Sequence, residues 1–392
     1  MARSEQLVRD PRDAGLDPAA IDALAAKVAE TVGRYDGCGA QIAVARRGRA
    51  VLRSFGSAPI AGDVQPVSDQ TLFCTFSVTK AFTSSAAWML LEAGRLGLED
   101  PVARHVPGFD RHGKGAVTVE QLLTHTAGFP SAVMESDDFL DEATRLECMA
   151  EWKLEWEPGN RFVYHGAATM LVLAHLVSKL AGGDYRRVLR ERIFEPLGAT
   201  DLWVGLPEAE HARAADVVVV GEPQSDDERA VNPVDAPSLT DESVLWANRA
   251  PGRSFGHPGG GAFATAADVA LFYQGVIAAL DGAPGALWSQ AMARDACTPR
   301  NVELVDPMTG HPALRGLGVT VAGEKGQIWR GFAPANGPRA VGHMGAGGQC
   351  AWGDPDSGIS FTFLTNGAER SPARQGANAM GFSQLAAGAA LD

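Results

Sequence analysis

Cysteine is scarce and unpaired in this chain of 392 residues. The five, Cys38, Cys74, Cys148, Cys297 and Cys350, are odd in number, widely spaced and never in a CxxC pair. They read as buried thiols in a reducing compartment rather than as a disulfide framework or a zinc site. The nine histidines lack HxH and HExxH spacing, so no metal is expected. A glycine-rich phosphate loop is also missing: GHPGGG follows no predicted strand and lacks the lysine such a loop needs, and no cofactor is expected. Hydrophobic runs are far shorter than the roughly 20 residues that cross a bilayer. The opening MARSEQLVRDPRDAGLDPAA has no apolar stretch behind its basic residues. Neither a membrane partner nor a secretory signal is predicted, and the expected location is cytoplasmic. Positive charge is in deficit too, with 34 Lys and Arg against 47 Asp and Glu and a net charge of −13. Such a surface repels a phosphate backbone, which excludes nucleic acid as a partner.

What the chain does have is glycine, 45 residues without a collagen-like period, and a hydrophobic fraction of 45%. It is long enough to bury one large core or two modest ones. Asp17-Pro18 is an N-cap followed by proline at the first helical position, and Ile21, Leu24, Val28 and Val32 recur at helical spacing, which predicts a helix to about Val32. GAQIAVARRGRAVLRSFG then reads as a hairpin around a basic, glycine-containing break. A helix with an apolar stripe is expected over 78–93, a capped one at Thr118 with Gln121 three residues on, and another over 167–180. The polar stretch 205–255 reads as long loops, and Thr265 as the cap of a further helix. LGVTVAG, RAVGHMGAGGQCAWGDP and GISFTFLTNG return to strand chemistry, and a helix is expected over 381–391.

This order predicts an α+β protein of two domains. Residues 1–70 and 286–392 pair into an antiparallel sheet flanked by helices, and a mostly helical domain, 71–285, is inserted between them.

The most informative residues are Ser77-Val78-Thr79-Lys80. SxxK at a helix start sets a hydroxyl and an ammonium one turn apart on one face. The serine N–H stands at the positive end of the helix dipole, where it can hold an oxyanion. Alone the pattern also describes an N-cap beside a solvated lysine. Here it follows TLFCTF and opens an apolar helix, surroundings that press Lys80 against nonpolar surface.

TLFCTFSVTKAFTSSAAWMLLEAGRLGLEDPVARHVPGF, VTVEQLLTHTAGFP, WEPGNRFVY, IFEPLGATDLW, GGGAFATAADVALF and GHMGAGGQ follow one another in an order that resembles the serine β-lactamase and penicillin-binding-protein superfamily. The resemblance spans about 36–367 and is best to the class C branch and the family VIII carboxylesterases. It implies that Ser77 is acylated, that Lys80 assists, and that Tyr164 is the general base. A phenol, whose ordinary pKa is near 10, serves so only beside a cation. The penicillin-recognising branches usually carry Asn two residues after that tyrosine, where this chain has Gly166, with His165 between. Their lysine-led strand triad is His343-Met344-Gly345 here, followed by Ala346. The resemblance thus places His343, Gly345, Ala346, His165 and Gly166 at the substrate, with the N–H of Ser77 and one near Ala346 as the oxyanion hole. His343 would donate a hydrogen bond or carry charge near its pKa. Trp246 and Trp352 are candidates for an acyl-pocket wall, and His125 for a structural role.

Gly252-Arg253-Ser254-Phe255-Gly256 spells GxSxG, the nucleophile elbow of another hydrolase fold, which requires a strand before the serine and a helix after it. NRAP precedes and GHPGGG follows, so Ser254 reads as a chance match. The expected function is hydrolysis of a small-molecule carboxylic ester or amide through an acyl-enzyme on Ser77. Alternatives are an acyltransferase, an amide or β-lactam hydrolase, and a non-catalytic ligand-binding homologue.

Overall fold

The computed structural model describes residues 3–231 and 238–391. Asp17 accepts a hydrogen bond from Ala19 N at 3.0 Å and Pro18 opens the helix α1, Pro18–Val32. The hairpin follows as β1, Gly39–Arg46, and β2, Arg49–Ile60, with β3, Asp63–Pro66, beside it. Its two-residue loop has φ of 55° at Arg47 and 73° at Gly48, the left-handed pair that matches the twist of two antiparallel strands. The main central helices are α2, Thr79–Glu92, α3, Ala168–Ala181, and α4, Ala266–Leu280. The last third supplies β4, Thr320–Val321, β5, Val341–Gly345, β6, Gln349–Asp354, β7, Ile359–Thr365, and the closing helix α5, Pro372–Ala387.

Seven strands form one antiparallel sheet in the order β4-β5-β6-β7-β1-β2-β3. Its two halves come from opposite ends of the chain and join where β1 pairs β7, Ala40 opposite Thr365 through Arg46 opposite Ile359. Side-chain alternation then assigns the faces. Ile42 and Val44 join the core with Leu24 and Val28 of α1 and Phe382 of α5, whereas Ala43 and Ala45 join the core on the α4 side. Alanine there lets α4 approach the sheet closely, and Gln274 Nε2 bridges to Ala45 O, Gly358 O and Ser360 Oγ at 3.1 Å each.

The stripe expected on α2 proves to be burial almost all round, from Thr79 to Trp88. The helix runs between α3 and the segment that leads to α4, so both flanks are covered. Two of its polar residues go inside with partners: Thr83 Oγ1 donates to Pro258 O at 2.6 Å and Ser85 Oγ to Phe82 O at 2.7 Å. Thr118 and Gln121 form the expected reciprocal cap.

Three local expectations need correction. The stretch read as long loops over 205–255 carries short elements, among them Val218–Val220, Asp241–Leu245 and Ala250–Phe255. Its Thr and Pro are helix starts, since Thr240 Oγ1 accepts from Ser243 N and Pro251 lies in the first turn of Ala250–Phe255. Residues 232–237 of that stretch lie outside the described residues. In LGVTVAG only Thr320 and Val321 pair, because Gly318 and Gly323 adopt positive φ on either side. The terminal helix begins at Pro372, with Ser371 accepting from Arg374 N, and ends before Gly388.

Candidate active site

The segment before Ser77 is a short strand, Phe73–Cys74, paired with Ala262–Ala264. Thr75 N donates to Ala262 O at 2.8 Å, and Ala262 N donates back to Thr79 Oγ1 at 3.0 Å. These bonds fix both sides of a tight turn, Phe76–Val78, that feeds directly into α2. Phe76 has φ of +44°, a left-handed conformation unfavourable for an aromatic residue. Strain of this kind costs about 1–3 kcal/mol and persists where neighbours over-determine it. The turn leaves Ser77 partly exposed while its neighbours are buried.

One helical turn on, Lys80 is 1% exposed. Its Nζ donates to Gly259 O at 2.8 Å and to Ser77 Oγ at 3.3 Å. No carboxylate pairs with it among the described residues, so serine and a loop carbonyl hold the ammonium. The same Nζ lies 4.9 Å from the centroid of the Tyr164 ring. Tyr164 Oη is buried and has no hydrogen-bond partner. Beneath the ring, His125 packs at 4.9 Å between centroids.

The loop carrying Gly259 is itself built on a histidine. His257 Nδ1 accepts from Gly259 N at 3.0 Å, and burial together with the Lys80 charge pushes its pKa down to about 3. A Cβ at Gly259 would stand 3.0 Å from Gly166 O, 3.2 Å from His257 Cε1 and 3.3 Å from Lys80 Nζ. Gly259→Ala should therefore displace the ammonium, lowering kcat by about ten- to a hundredfold while the melting temperature stays within a few degrees. A variant with wild-type kcat would show that this loop does not position Lys80.

Strand β5 closes the other side. Gly345 is required by close approach, since a Cβ there would lie 2.5 Å from Thr75 O and 2.8 Å from Gln349 Cβ. Ala346 follows it and packs in the cluster that holds Phe76 and Trp246. The Trp246 ring meets Phe76 edge-on at 6.1 Å, which puts it next to the Ser77 turn. His343, two residues before Gly345, is 7% exposed, and its ring centroid is 6.0 Å from that of Tyr164.

The Beta-lactamase family profile matches residues 24–385 of this chain. The chain belongs to the Beta-lactamase family. An Escherichia coli K12 Beta-lactamase is 30% identical over 182 residues, 45% of this chain and 46% of that protein, so this match spans under half of the relative. The Esterase/beta-lactamase LipL of Mycobacterium tuberculosis is 27% identical over 85% of this chain and 78% of its own length. A solved penicillin-binding protein homolog from Caulobacter crescentus superposes with a TM-score of 0.78 at 27% identity, covering 95% of this chain and 98% of that one. The chain has the Beta-lactamase fold.

Ser77, Lys80, Tyr164, His343 and Gly345 come together in space. Gly166 is exposed beside Gly259, at the rim. Three other expectations are corrected. His165 is fully buried: its Nε2 accepts from Phe129 N at 3.1 Å, its Nδ1 donates to Val163 O at 2.7 Å, and burial pushes its pKa to about 4. Both ring nitrogens are thereby used, and nothing remains for a substrate. Trp352 is 1% exposed on the opposite face of the sheet, where Nε1 donates to Ser383 Oγ of α5 at 3.0 Å. His343 is neither a donor toward the cleft nor a cation. Its Nδ1 lies 2.6 Å from Met344 O, so that nitrogen carries the proton and Nε2 is a bare acceptor. Burial, then the Arg315 and Lys80 charges, hold its pKa well below the ordinary value.

Ser254 sits inside the helix Ala250–Phe255, on the surface, with Oγ 3.3 Å from His211 Nε2. That nitrogen is also 3.1 Å from Leu206 O and donates to it, so it has no lone pair for a serine proton.

One residue at the site escaped the sequence reading. Arg315, in the loop before β4, puts its guanidinium carbon 5.7 Å from the Tyr164 centroid and 5.5 Å from that of Phe162. It carries no motif and no periodicity, and only tertiary folding brings it to the ring.

Proposed function

We propose that this protein is a carboxylesterase-type hydrolase that cleaves a small-molecule ester through a covalent acyl-enzyme on Ser77. The observation that carries the reading is the buried Lys80 ammonium, hydrogen-bonded to Ser77 Oγ and Gly259 O with no carboxylate partner among the described residues. A buried charge without a carboxylate partner is costly unless it serves the reaction.

The step needs the pair one proton short: with Tyr164 Oη as phenolate beside the Lys80 ammonium, Ser77 Oγ bonds to the ester carbonyl carbon as its proton passes to Tyr164 Oη. That proton then reaches the alkoxide oxygen as the carbon–oxygen bond breaks and alcohol leaves. Water repeats the sequence on the acyl-enzyme and releases the acid. Backbone N–H groups of Ser77 and near Ala346 hold the oxyanion. Two features favour an ester over a β-lactam. Position 166 has no side chain to contact an amide, and His343 is buried, with its Nδ1 on Met344 O, where a permanent cation would be needed for a substrate carboxylate. The name of LipL couples esterase with β-lactamase and supports the same class.

A fluorophosphonate probe tests the assignment. Intact mass should rise by one phosphonyl group, and peptide mapping should find it on Ser77. An unmodified protein, or a label on Ser254, overturns it.

A further inference from the structure

Strands β6 and β7 pair from Asp354 opposite Ile359 to Cys350 opposite Phe363. Two residues further, the same register would set Gly348 opposite Thr365. Gly347 and Gly348 instead have φ of +79° and +104°, left-handed values that take the chain out of the ladder. Thr365 is buried, and buried backbone groups need partners. Gln349, fully buried, supplies both: its Nε2 donates to Thr365 O at 2.8 Å, and its Oε1 accepts from Thr365 N at 2.9 Å. A primary amide carries the donor and acceptor of a peptide group, so the ladder continues through this side chain while the main chain peels away.

The backbone of Gln349 pairs with Gly345 across β5 and β6, which closes the turn Ala346–Gly348 at its base. The base is tightly packed. A Cβ on Gly345 would meet both Gln349 Cβ and Thr75 O, the latter on the segment that leads into Ser77. A Cβ on Gly347 would lie 2.8 Å from Ala368 Cα, and Ala368 shares a cluster with Phe76. The turn is thus seated beside the Ser77 turn, and the Gln349 amide sets the point at which the strand leaves the sheet.

We propose that Gln349 is a positioning residue, whose amide holds the Ala346–Gly348 turn off the sheet so that its N–H meets the oxyanion formed at Ser77. The proposal rests on the reading of Ser77 as an esterase nucleophile. Without the amide, Thr365 competes for the backbone of Gly348 and draws the turn toward the ladder, away from Ser77. The loss falls on the transition state, because negative charge on the carbonyl oxygen develops there.

Gln349→Glu makes a test specific to these two bonds. A protonated carboxyl reproduces the amide, donating to Thr365 O and accepting from Thr365 N, whereas a carboxylate only accepts. Burial raises its pKa above the ordinary value of about 4.3, which brings the change into an assay range of about pH 5 to 9. With p-nitrophenyl butyrate, the variant-to-wild-type ratio of kcat should stay within about threefold of one at the acid end. It should fall at least about tenfold as pH rises, with KM nearly unchanged. Gln349→Met makes neither bond and should show the low kcat at every pH; if it does not fold, Gln349→Glu decides alone. The rate of Ser77 phosphonylation by the fluorophosphonate should follow the same ratios, since charge develops on the phosphoryl oxygen in the same place. Circular dichroism at each pH gives the folded fraction. A ratio that stays flat for Gln349→Glu, or a loss of kcat that only tracks unfolding, overturns the proposal. A wild type that hydrolyses no ester refutes the esterase reading, while the phosphonylation ratio still decides the role of Gln349. A wild type that is not labelled either overturns both.

Discussion

Ser77→Ala should remove ester hydrolysis, with kcat/KM down by at least ~10⁴, and abolish fluorophosphonate labelling. Ser254→Ala leaves both at the wild-type level. The asymmetry follows from geometry. Ser77 stands on a turn whose preceding residue is strained and whose flanks are tied to Ala262, with a buried ammonium at 3.3 Å. Ser254 lies on a surface helix beside a histidine whose Nε2 proton already points at Leu206 O. Stability should change little in Ser77→Ala, since Lys80 keeps its shorter bond to Gly259 O. p-Nitrophenyl butyrate turnover and a thermal melt of each variant are the measurements. Hydrolysis persisting in Ser77→Ala would end the acyl-enzyme assignment.

Lys80→Met should lower kcat by about 10²–10⁴ without lowering the melting temperature by more than a few degrees. Methionine nearly fills the volume of the lysine stem but offers Ser77 no proton and Tyr164 no charge. The folded state loses a hydrogen bond to Gly259 O and is relieved of a desolvated cation, two effects of opposite sign that leave stability close to unchanged. A lysine kept only for packing or for that loop contact would give the reverse, a lower melting temperature with activity within tenfold of wild type. Measuring kcat and the melt on one preparation distinguishes the two.

Signals confined to a few consecutive residues were the most legible. Asp17-Pro18, Thr118 with Gln121, and Thr265 mark helix starts because a side chain there bonds a backbone N–H two or three residues on, and that geometry needs no tertiary partner. SxxK belongs to the same class, since both its residues ride one turn. The site residues misread, His165 and Trp352, depend on which way a side chain points. His343 pairs with Ala351 across β5 and β6, so Ala351 shares its face and Trp352 takes the other. A one-residue step along a strand reverses the face, and proximity in sequence to a motif does not reveal it. His165 likewise adjoins Tyr164 but turns inward to cap the Phe129 amide.

The sequence by itself determined the Ser77–Lys80 turn, the helix starts at Pro18, Thr118 and Thr265, the pairing of the two chain ends into one sheet and the family, because these rest on local hydrogen bonding, alternation and the order of motifs. Tertiary structure alone decided what surrounds Tyr164. It brought Arg315 from a loop with no motif to the ring, set Gly259 O on Lys80, and fixed the His343 proton on Nδ1 through Met344 O. Those are matters of distance and burial between segments far apart in the chain, and a charge acquires its meaning there only from what excludes water around it.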